Sequence, residues 1–416
     1  MLFGSSGIRK KYGQELRDIA LAVGSVLGRS GAEILLGRDT RVTGLVLKNL
    51  VSAGILASGG NVGYAGVVPT PAVAFGARNY AAGAMITASH NPEPYNGIKL
   101  FNPDGSSFSR LRQHQIEEEI QQICWQNWNS QGDIRQADAL TSYIRTIVQS
   151  RSPAGGVPLI LDCGNGAGSV ATPAILSNLG VDITCVHCNP SGYFSRPSEP
   201  LEEHVSYLGP LITRKKALGA VVHDGDADRM MAFDRRGRFI SGDQLLILFV
   251  KYLGVNEVVT TYDASMAVEE IATVRRTPVG DSYVSDELTR WGKFGGEPSG
   301  AWIFPGHSLC PDGPYAAALF CEMVREWDIP AELDALPPYP ILRESVPCEE
   351  AAEVMTFLGA DSPTDGIRLE EEGGWCLIRS SGTEPKIRFT AEGSEKKKAE
   401  EMLAKGRRLL KMWKSA

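Results

Sequence analysis

The chain contains no long apolar run. None of its apolar stretches approaches the roughly 18 to 20 residues of a membrane-spanning helix. Its first residues, Met1-Leu2-Phe3-Gly4, lack the basic segment and the apolar core of a secretory signal. Apolar residues make up 43% and charged residues 22% of the 416 positions, as is typical of a globular protein. We therefore expect no signal peptide, no membrane association and a cytoplasmic location.

Positive charge is also in deficit. The 42 lysines and arginines stand against 49 aspartates and glutamates, which gives a formal net charge of −7. Non-specific binding to nucleic acid needs a basic face, so we expect no nucleic-acid partner. A small anionic ligand is still compatible with this balance where basic side chains gather locally. The length exceeds that of a single core and predicts several domains.

Paired cysteines are scarce. The eight cysteines are scattered singly except for Cys185-Val186-His187-Cys188. A zinc site of common spacing needs a second pair, and haem attachment needs a histidine at position 189, where asparagine stands. Because the pair follows a predicted strand, we interpret these residues as buried strand thiols.

The chain repeats one order of elements three times: strand, helix, strand, helix, strand and an unusual loop. The first unit has predicted strands over 34–37, 61–64 and 84–86, and the second over 159–162, 181–186 and 220–223. The third has a strand over 257–261, a helix over 264–272, a short strand over 277–279 and a helix over 282–291. This alternation predicts α/β domains with largely parallel sheets.

The three terminal loops carry the unusual chemistry. They are Thr87-Ala88-Ser89-His90-Asn91-Pro92, Asp224-Gly225-Asp226-Ala227-Asp228-Arg229 and Gly295-Gly296-Glu297-Pro298-Ser299-Gly300. Ligand sites of such sheets lie beyond the carboxyl ends of the strands. We therefore expect the three loops to converge on one cleft between domains.

The C-terminal part follows a different pattern. After the proline-rich linker 336–340, two predicted strands flank the turn Ser380-Ser381-Gly382-Thr383-Glu384-Pro385, with Arg379, Lys386 and Arg388 beside it. Hydroxyls, a glycine amide and guanidinium groups are donors that suit a phosphate. We place the domain boundaries at 1–140, 141–241, 242–335 and 336–416.

Ser89 and the aspartate loop together indicate a phosphorylated serine beside a divalent metal. Phosphoserine carries about −1.5 to −2 charges, and a carboxylate ~4 Å away opposes it by roughly 4 kcal/mol at an effective dielectric of about 20. Such a pairing needs a cation. Three carboxylates and one phosphate oxygen form an all-oxygen set that suits Mg²⁺.

Three other interpretations are weaker. An EF-hand needs a glutamate at the twelfth position counted from Asp224, and none stands there. Haloacid-type phosphatases have threonine after the DxD aspartate, whereas Arg229 follows Asp228. The glycine turn 164–168 lacks the dinucleotide-binding spacing, and no acidic residue ends the next strand. A tight turn with close helix packing explains the glycines better.

These motifs closely resemble the alpha-D-phosphohexomutase superfamily. The resemblance spans essentially the whole chain, through Phe3-Gly4-Ser5-Ser6-Gly7-Ile8-Arg9, Gly37-Arg38-Asp39-Thr40-Arg41, the Ser89 loop, Asn96-Gly97-Ile98-Lys99, the aspartate loop, the Glu297 loop, and the segment from Arg379 to Pro385. It implies three related α/β domains with mixed sheets and a smaller C-terminal α+β domain around a central active-site cleft.

The resemblance also implies residue roles. The catalytic set is Ser89, Arg9, His90 and Lys99, and the metal set is phosphorylated Ser89 with Asp224, Asp226 and Asp228. The substrate-binding set is Arg229, Glu297, Ser299, Arg379, Ser381, Gly382, Thr383 and Arg388. Lys99 is expected to act as general acid or base, with a pKa lowered by a cationic site. Ala301 replaces a histidine of bacterial relatives, which shifts that role toward Lys99 or His90.

The implied enzyme is an isomerase that moves phosphate between the 6- and 1-positions of a hexose through a bisphosphorylated intermediate. Segments 279–284 and 296–303 look most like the archaeal phosphoglucosamine mutase branch, which implies glucosamine 6-phosphate as substrate, one Mg²⁺ per chain and a hexose 1,6-bisphosphate activator. The alternatives are a phosphomannomutase or phosphoglucomutase and, less favoured, a non-catalytic phosphosugar-binding protein. We expect a monomer or a homodimer.

Overall fold

The computed structural model describes residues 2–4, 6–360, 365–381 and 385–415. Its strands form four sheets that follow one another along the chain. Among the described residues, no helix combines the length and the apolar character needed to cross a membrane.

The first sheet has seven strands: β1 (Phe3–Gly4), β2 (Gly7–Lys11), β3 (Glu33–Arg38), β4 (Asn61–Val67), β5 (Ala82–Ile86), β6 (Tyr95–Phe101) and β7 (Ile134–Gln136). Their order is β1-β2-β6-β5-β3-β4-β7. The last four strands of this order run parallel, and β6, β2 and β1 add antiparallel pairs at the other edge. The helices are α1 (Gln14–Leu27), α2 (Gly44–Ala57), α3 (Thr70–Gly76), α4 (Arg110–Glu119) and α5 (Ala139–Ser150).

The second sheet is also mixed. Its strands are β8 (Pro158–Asp162), β9 (Asp182–Val186), β10 (Gly219–His223), β11 (Met230–Asp234) and β12 (Phe239–Ile240), in the order β12-β11-β10-β8-β9. Helices α6 (Thr172–Asn178), α7 (Glu202–Val205) and α8 (Leu208–Lys215) connect them. Strands β9, β8 and β10 are parallel, and β10 turns directly into antiparallel β11 through the aspartate loop.

The third sheet corrects two details of the sequence prediction. It contains β13 (Glu257–Thr261), β14 (Thr273–Thr277), β15 (Phe294–Gly296) and β16 (Trp302–Ile303), ordered β14-β13-β15-β16. The predicted helix over 264–272 is a short 3-10 turn, Met266–Glu270. The strand predicted over 277–279 instead occupies Thr273–Thr277, because the shorter turn frees these residues to pair with β13 and Pro278 has no N–H to continue a ladder. Helices α9 (Gly242–Leu253), α10 (Asp281–Leu288), α11 (Gly313–Glu326) and α12 (Ile329–Asp334) complete this part.

The fourth sheet is antiparallel throughout. It contains β17 (Ile341–Pro347), β18 (Ile367–Glu371), β19 (Gly374–Ser380) and β20 (Lys386–Gly393), in the order β17-β20-β19-β18. Strand β18 was not predicted, because its acidic end resembles a loop. Helices α13 (Ala351–Phe357) and α14 (Lys396–Ser415) accompany this sheet, and α14 packs across β19 and β20 through Met402, Leu403 and Leu410. Three mixed α/β sheets and a smaller α+β unit confirm the predicted fold class.

The loops that end corresponding strands meet at the domain junctions. The largest apolar cluster runs from the first domain through the second into the third and includes Leu35, Leu161 and Val258. It fixes the three α/β sheets against one another, because burying a shared apolar surface opposes their separation. The Ser89 loop after β5 and the aspartate loop after β10 therefore face each other directly.

Candidate active site

Ser89 lies at the carboxyl end of β5 in a strained turn. Its φ of +49° is in the left-handed region, which non-glycine residues adopt at a cost. The turn is held because the Ser89 N–H donates to Thr87 Oγ1 over 2.8 Å. The side chain is 1% exposed, and its Oγ donates to Asp224 Oδ2 over 2.8 Å. The nucleophile predicted from sequence thus points at the predicted metal loop.

Arg41 organises the backbone of the Ser89 loop. Its buried guanidinium donates one bond to the Asp39 carboxylate and four bonds to carbonyl oxygens. The carbonyl acceptors belong to Ser89, Asn91, Pro92 and Tyr95, at 2.6–2.9 Å. All five N–H groups are therefore satisfied, as a buried guanidinium requires. This residue was part of the resemblance motif but was not assigned to the site.

The three aspartates of the second loop are brought together and buried. One carboxylate oxygen each from Asp224, Asp226 and Asp228 lies within 4.8 Å of the others, and each of the three residues is at most 4% exposed. Close packing of the neighbouring glycine turn makes this possible. A Cβ on Gly166 would lie 2.6 Å from the Gly225 carbonyl oxygen, so this glycine packs closely against the backbone of the aspartate loop.

The residues present fit a divalent cation. Asp226 Oδ1 and Asp228 Oδ1 are buried and have no hydrogen-bond partner among the described residues. Carboxylate oxygens of this kind are the ligands that Mg²⁺ prefers. Burial, followed by repulsion from the other aspartates, raises the pKa of Asp224 and of Asp228. A cation at the cluster would remove that repulsion.

Lys99 corrects one prediction. Its Nζ donates to Asp226 Oδ2 over 2.9 Å and also contacts Asp228 Oδ2. Burial by itself lowers the pKa of Lys99, but the two carboxylates outweigh burial and raise it above its ordinary value. The predicted lowering of this pKa is wrong, because the side chain enters an acidic site rather than a cationic one. For Asp226, attraction to Lys99 outweighs burial and lowers the pKa.

The other predicted catalytic groups also lie near Ser89. His90 Nδ1 is 3.5 Å from Ser89 Oγ, and burial together with the positive charges of Arg229 and Arg9 lowers the pKa of His90 well below its ordinary value. Arg9 Nη1 donates to Asn91 Oδ1 over 3.3 Å. Arg229 pairs with Glu199 over 3.3 Å. His90 is therefore an uncharged imidazole among cations.

Glu297 and Ser299 form the predicted sugar-binding pair. The Ser299 hydroxyl donates to Glu297 Oε2 over 3.2 Å. Burial, reinforced by the charge of Asp281, raises the pKa of Glu297 to about 7. Arg229 acts in the opposite direction on this carboxyl group. A hydroxyl and a carboxyl side by side are suitable partners for sugar hydroxyls.

The turn predicted to bind phosphate faces the Ser89 loop across a cleft of about 540 Å³. Residues of both predicted sets line this cleft: Arg9, His90, Arg379, Ser381 and Arg388. The Ser381 hydroxyl is buried and has no hydrogen-bond partner among the described residues. It can therefore donate a hydrogen bond to an anion bound in the cleft. Gly382 and Thr383, predicted for the same turn, lie outside the described residues.

Several residues that sequence reasoning missed support the site. Thr70, the first residue of α3, donates from Oγ1 to Asp226 Oδ2 over 2.5 Å, and its position in the sequence did not indicate this role. His223 is buried, and burial lowers its pKa to about 4. Its Nδ1 lies 2.9 Å from the Arg229 carbonyl oxygen and its Nε2 lies 3.0 Å from Thr172 Oγ1. A carbonyl oxygen only accepts, so Nδ1 carries the proton and Nε2 accepts from the hydroxyl.

Two other groups stay outside the site. His307 stacks on Tyr315 with ring centroids 4.6 Å apart and lies 3.2 Å from Asp312, which is a core arrangement. Cys185 is exposed and Cys188 half-buried. The interpretation of this pair as buried thiols is wrong because β9, the edge strand of its sheet, leaves Cys185 open to solvent.

Four successive stretches of the chain match the domains of one protein family. They correspond to phosphoglucomutase/phosphomannomutase alpha/beta/alpha domain I over residues 1–127, domain II over 139–237, domain III over 241–336 and the C-terminal domain over 345–408. The chain is 41% identical to a probable phosphoglucosamine mutase of Methanococcoides burtonii, with 95% of each chain covered. It is 37% identical to that of Thermococcus kodakarensis, with 98% of each chain covered.

Solved structures share the architecture. A phosphoglucomutase/phosphomannomutase family protein from Burkholderia thailandensis has a TM-score of 0.87 at 23% identity, covering 99% of this chain and 97% of that one. A putative phosphomannomutase from Thermus thermophilus has a TM-score of 0.81 at 24% identity, covering 98% of each chain. These likenesses concern the fold, and the sequence matches extend over all four domains. The chain belongs to the phosphoglucomutase/phosphomannomutase family of alpha-D-phosphohexomutases.

Proposed function

We propose that this protein is a phosphoglucosamine mutase, an isomerase that interconverts glucosamine 6-phosphate and glucosamine 1-phosphate. The observation that carries the proposal is the 2.8 Å contact between Ser89 Oγ and Asp224 Oδ2, beside a carboxylate cluster and across a cleft from a basic loop. A nucleophile, a cation site and a second anion site are what a phosphate shift between two sugar positions requires. The functional units are four domains with boundaries at 1–140, 141–241, 242–335 and 336–416.

The reaction begins with phosphate on Ser89. The sugar hydroxyl attacks phosphorus, the bond from phosphorus to Ser89 Oγ breaks, and a sugar bisphosphate forms. After the bisphosphate turns over in the cleft, Ser89 Oγ attacks its other phosphate, and the product leaves with Ser89 phosphorylated again. Arg379, Ser381 and Arg388 hold whichever phosphate is not being transferred, together with Gly382 and Thr383.

Charge and protons are handled by the groups around Ser89. Lys99, whose pKa is raised by the carboxylates of Asp226 and Asp228, is a cation that stabilises the oxygens of the transferring group. His90 Nδ1, 3.5 Å from Ser89 Oγ, takes the proton of the attacking hydroxyl and delivers it to Ser89 Oγ as that oxygen leaves, so the imidazole is uncharged again after the step. Mg²⁺ held by Asp224, Asp226, Asp228 and the Ser89 phosphate would supply further charge neutralisation.

The substrate is inferred from the relatives. Archaeal proteins that match over at least 95% of this chain, among them those of Methanococcoides burtonii and Thermococcus kodakarensis, carry the name probable phosphoglucosamine mutase. A solved N-acetylphosphoglucosamine mutase of Aspergillus fumigatus contains GlcNAc-6P and magnesium. Phosphomannomutase or phosphoglucomutase activity is the second candidate, because the family name itself includes both.

The deciding experiment compares substrates directly. Purified protein is assayed with glucosamine 6-phosphate, glucose 6-phosphate and mannose 6-phosphate, each with Mg²⁺ and the matching 1,6-bisphosphate. We expect the highest kcat/KM for glucosamine 6-phosphate. A higher kcat/KM for glucose or mannose phosphate would transfer the proposal to the second candidate. Turnover no greater than that of Ser89→Ala with every substrate would instead indicate a phosphosugar-binding protein.

A further inference from the structure

The hydroxyl of Ser198 connects the two loops that carry the chemistry. Its Oγ donates to the carbonyl oxygen of Ser89 over 3.1 Å and accepts from the N–H of Gly225 over 2.9 Å. The first partner belongs to the nucleophile loop and the second to the metal loop. Ser198 is 5% exposed, so water does not substitute freely for either bond.

The segment that carries Ser198 is anchored to the second domain. Arg196, which is 8% exposed, donates to the Ser198 carbonyl oxygen over 3.4 Å and to the His223 carbonyl oxygen over 2.7 Å. It also pairs with Asp162 over 3.3 Å. These contacts tie the segment to the ends of β8 and β10, immediately before the aspartate loop. The position of Ser198 is therefore fixed by the second domain.

The same segment is tied to the first domain. The Phe194 N–H donates to Glu93 Oε1 over 2.8 Å, and the Phe194 ring lies 4.9 Å from the guanidinium carbon of Arg41. Arg41 supplies the other side-chain donor to the Ser89 carbonyl oxygen, at 2.8 Å. The carbonyl of the strained nucleophile is thus held by one donor from each domain.

The space at this junction admits little change. A Cβ on Gly225 would lie 2.8 Å from Ser198 Oγ, 2.8 Å from the Ser89 carbonyl oxygen and 2.9 Å from Phe194. In this confined position the side chain of residue 198 must donate to the Ser89 carbonyl oxygen and accept from the Gly225 N–H at the same time. A hydroxyl does both, whereas the methyl group of alanine does neither.

We propose that Ser198 is a positioning residue that sets the register between the Ser89 loop and the aspartate loop. This inference rests on the proposed function, in which Ser89 receives and donates phosphate beside the carboxylate cluster. Displacing a nucleophile by about 1 Å can cost about a hundredfold in rate. Loss of the bridge therefore affects the transfer step rather than the capture of the distal phosphate across the cleft.

The test compares Ser198→Ala with Ser198→Thr and with the matched control Ser191→Ala. Ser191 lies in the same segment, and its hydroxyl donates to the Tyr193 carbonyl oxygen and accepts from the Tyr193 N–H. For each protein we measure kcat, KM, Tm and the single-turnover rate of phosphate transfer from phosphorylated Ser89 to glucosamine 6-phosphate. Deuterium exchange of the peptide that contains Gly225 measures how well the hydrogen bond from the Gly225 N–H to Ser198 Oγ is kept, and this measurement does not depend on enzyme activity.

We expect Ser198→Ala to lower kcat and the single-turnover rate by about ten- to a hundredfold, with KM within twofold, and to speed exchange at Gly225. Ser198→Thr, which keeps the hydroxyl, should be faster than Ser198→Ala, and Ser191→Ala should match the wild type. Wild-type rates in Ser198→Ala would overturn the inference. So would a Ser198→Thr variant that is as slow as Ser198→Ala although its Tm is unchanged. A Ser198→Ala variant in which kcat, KM and Tm all decline together would also overturn it. An unphosphorylated, inactive wild type would instead refute the proposed function.

Discussion

Ser89 Oγ donates to Asp224 Oδ2 over 2.8 Å, although the two residues stand 135 positions apart in the chain. The serine ends a strand of the first sheet and the aspartate follows a strand of the second. Their contact places the proposed nucleophile against a carboxylate whose pKa is raised by burial and by its neighbours Asp228 and Asp226. A phosphate on the Ser89 hydroxyl would therefore lie beside negatively charged carboxylates, and a cation would be needed to offset their repulsion.

The first prediction is that Ser89 carries phosphate. Intact mass spectrometry of the purified protein, after incubation with glucosamine 1,6-bisphosphate, should show a species heavier by one phosphoryl group, and peptide mapping should place it on Ser89. Ser89→Ala should lose this species and keep the wild-type Tm. Phosphate found on another residue, or none after incubation, would contradict the assignment.

The second prediction concerns the metal. Asp226→Asn removes one of three clustered carboxylates and should weaken Mg²⁺ affinity, measured by calorimetry, and lower kcat by about a hundredfold or more. Asp182→Asn, at the exposed start of β9, is the matched control and should change neither value. Full activity in the presence of a chelator would show that the cluster is not a working metal site.

The third prediction separates phosphate capture from transfer. Arg379→Ala removes a charge-assisted contact worth about 1.5 to 3 kcal/mol, which is about a ten- to hundredfold loss in kcat/KM. Much of the loss should appear in KM, and more bisphosphate should escape into solution because the intermediate is held less tightly. Arg408→Ala, an exposed change on α14, serves as the control. Unaltered kinetics in Arg379→Ala would place the second phosphate site elsewhere.

The fourth prediction uses the raised pKa of Glu297, which is about 7 in the folded protein against 4.5 for an unhindered side chain. Between pH 4.5 and pH 7 the Glu297 carboxyl group is ionised in the unfolded chain and protonated in the folded protein. The folded state therefore binds more protons than the unfolded state, and the free energy of unfolding falls as pH rises. Above pH 7 the loss is complete.

The glutamine of Glu297→Gln cannot ionise. The free energy of unfolding of the variant, relative to that of the wild type, should therefore be higher at pH 8 than at pH 5. Urea denaturation at both pH values measures the difference. Glu118→Gln, on the exposed face of α4, should show no such change. A difference between Glu297→Gln and wild type that is the same at both pH values would contradict the raised pKa.

Much of the fold could be predicted because its causes are local. Alternating apolar strands and helices, glycine stops and polar turns marked the strands that end at Ile86, Asp162 and His223. The identity of the motif residues likewise pointed to Ser89 and the aspartates. Prediction was wrong at β14, where the shortness of a 3-10 turn depends on packing. It missed β18, because the acidic end of that strand resembles a loop and its pairing with β19 forms only in the folded sheet.

What the sequence determined by itself was the set of reactive groups and their order, because residue chemistry and strand endings do not depend on distant contacts. Tertiary structure decided how those groups behave. Lys99 has a raised pKa because folding places it against Asp226 and Asp228, more than a hundred residues away. Arg41 and Ser198 acquire their roles because β5 and β10 end side by side, and burial makes each hydrogen bond across that junction costly to lose.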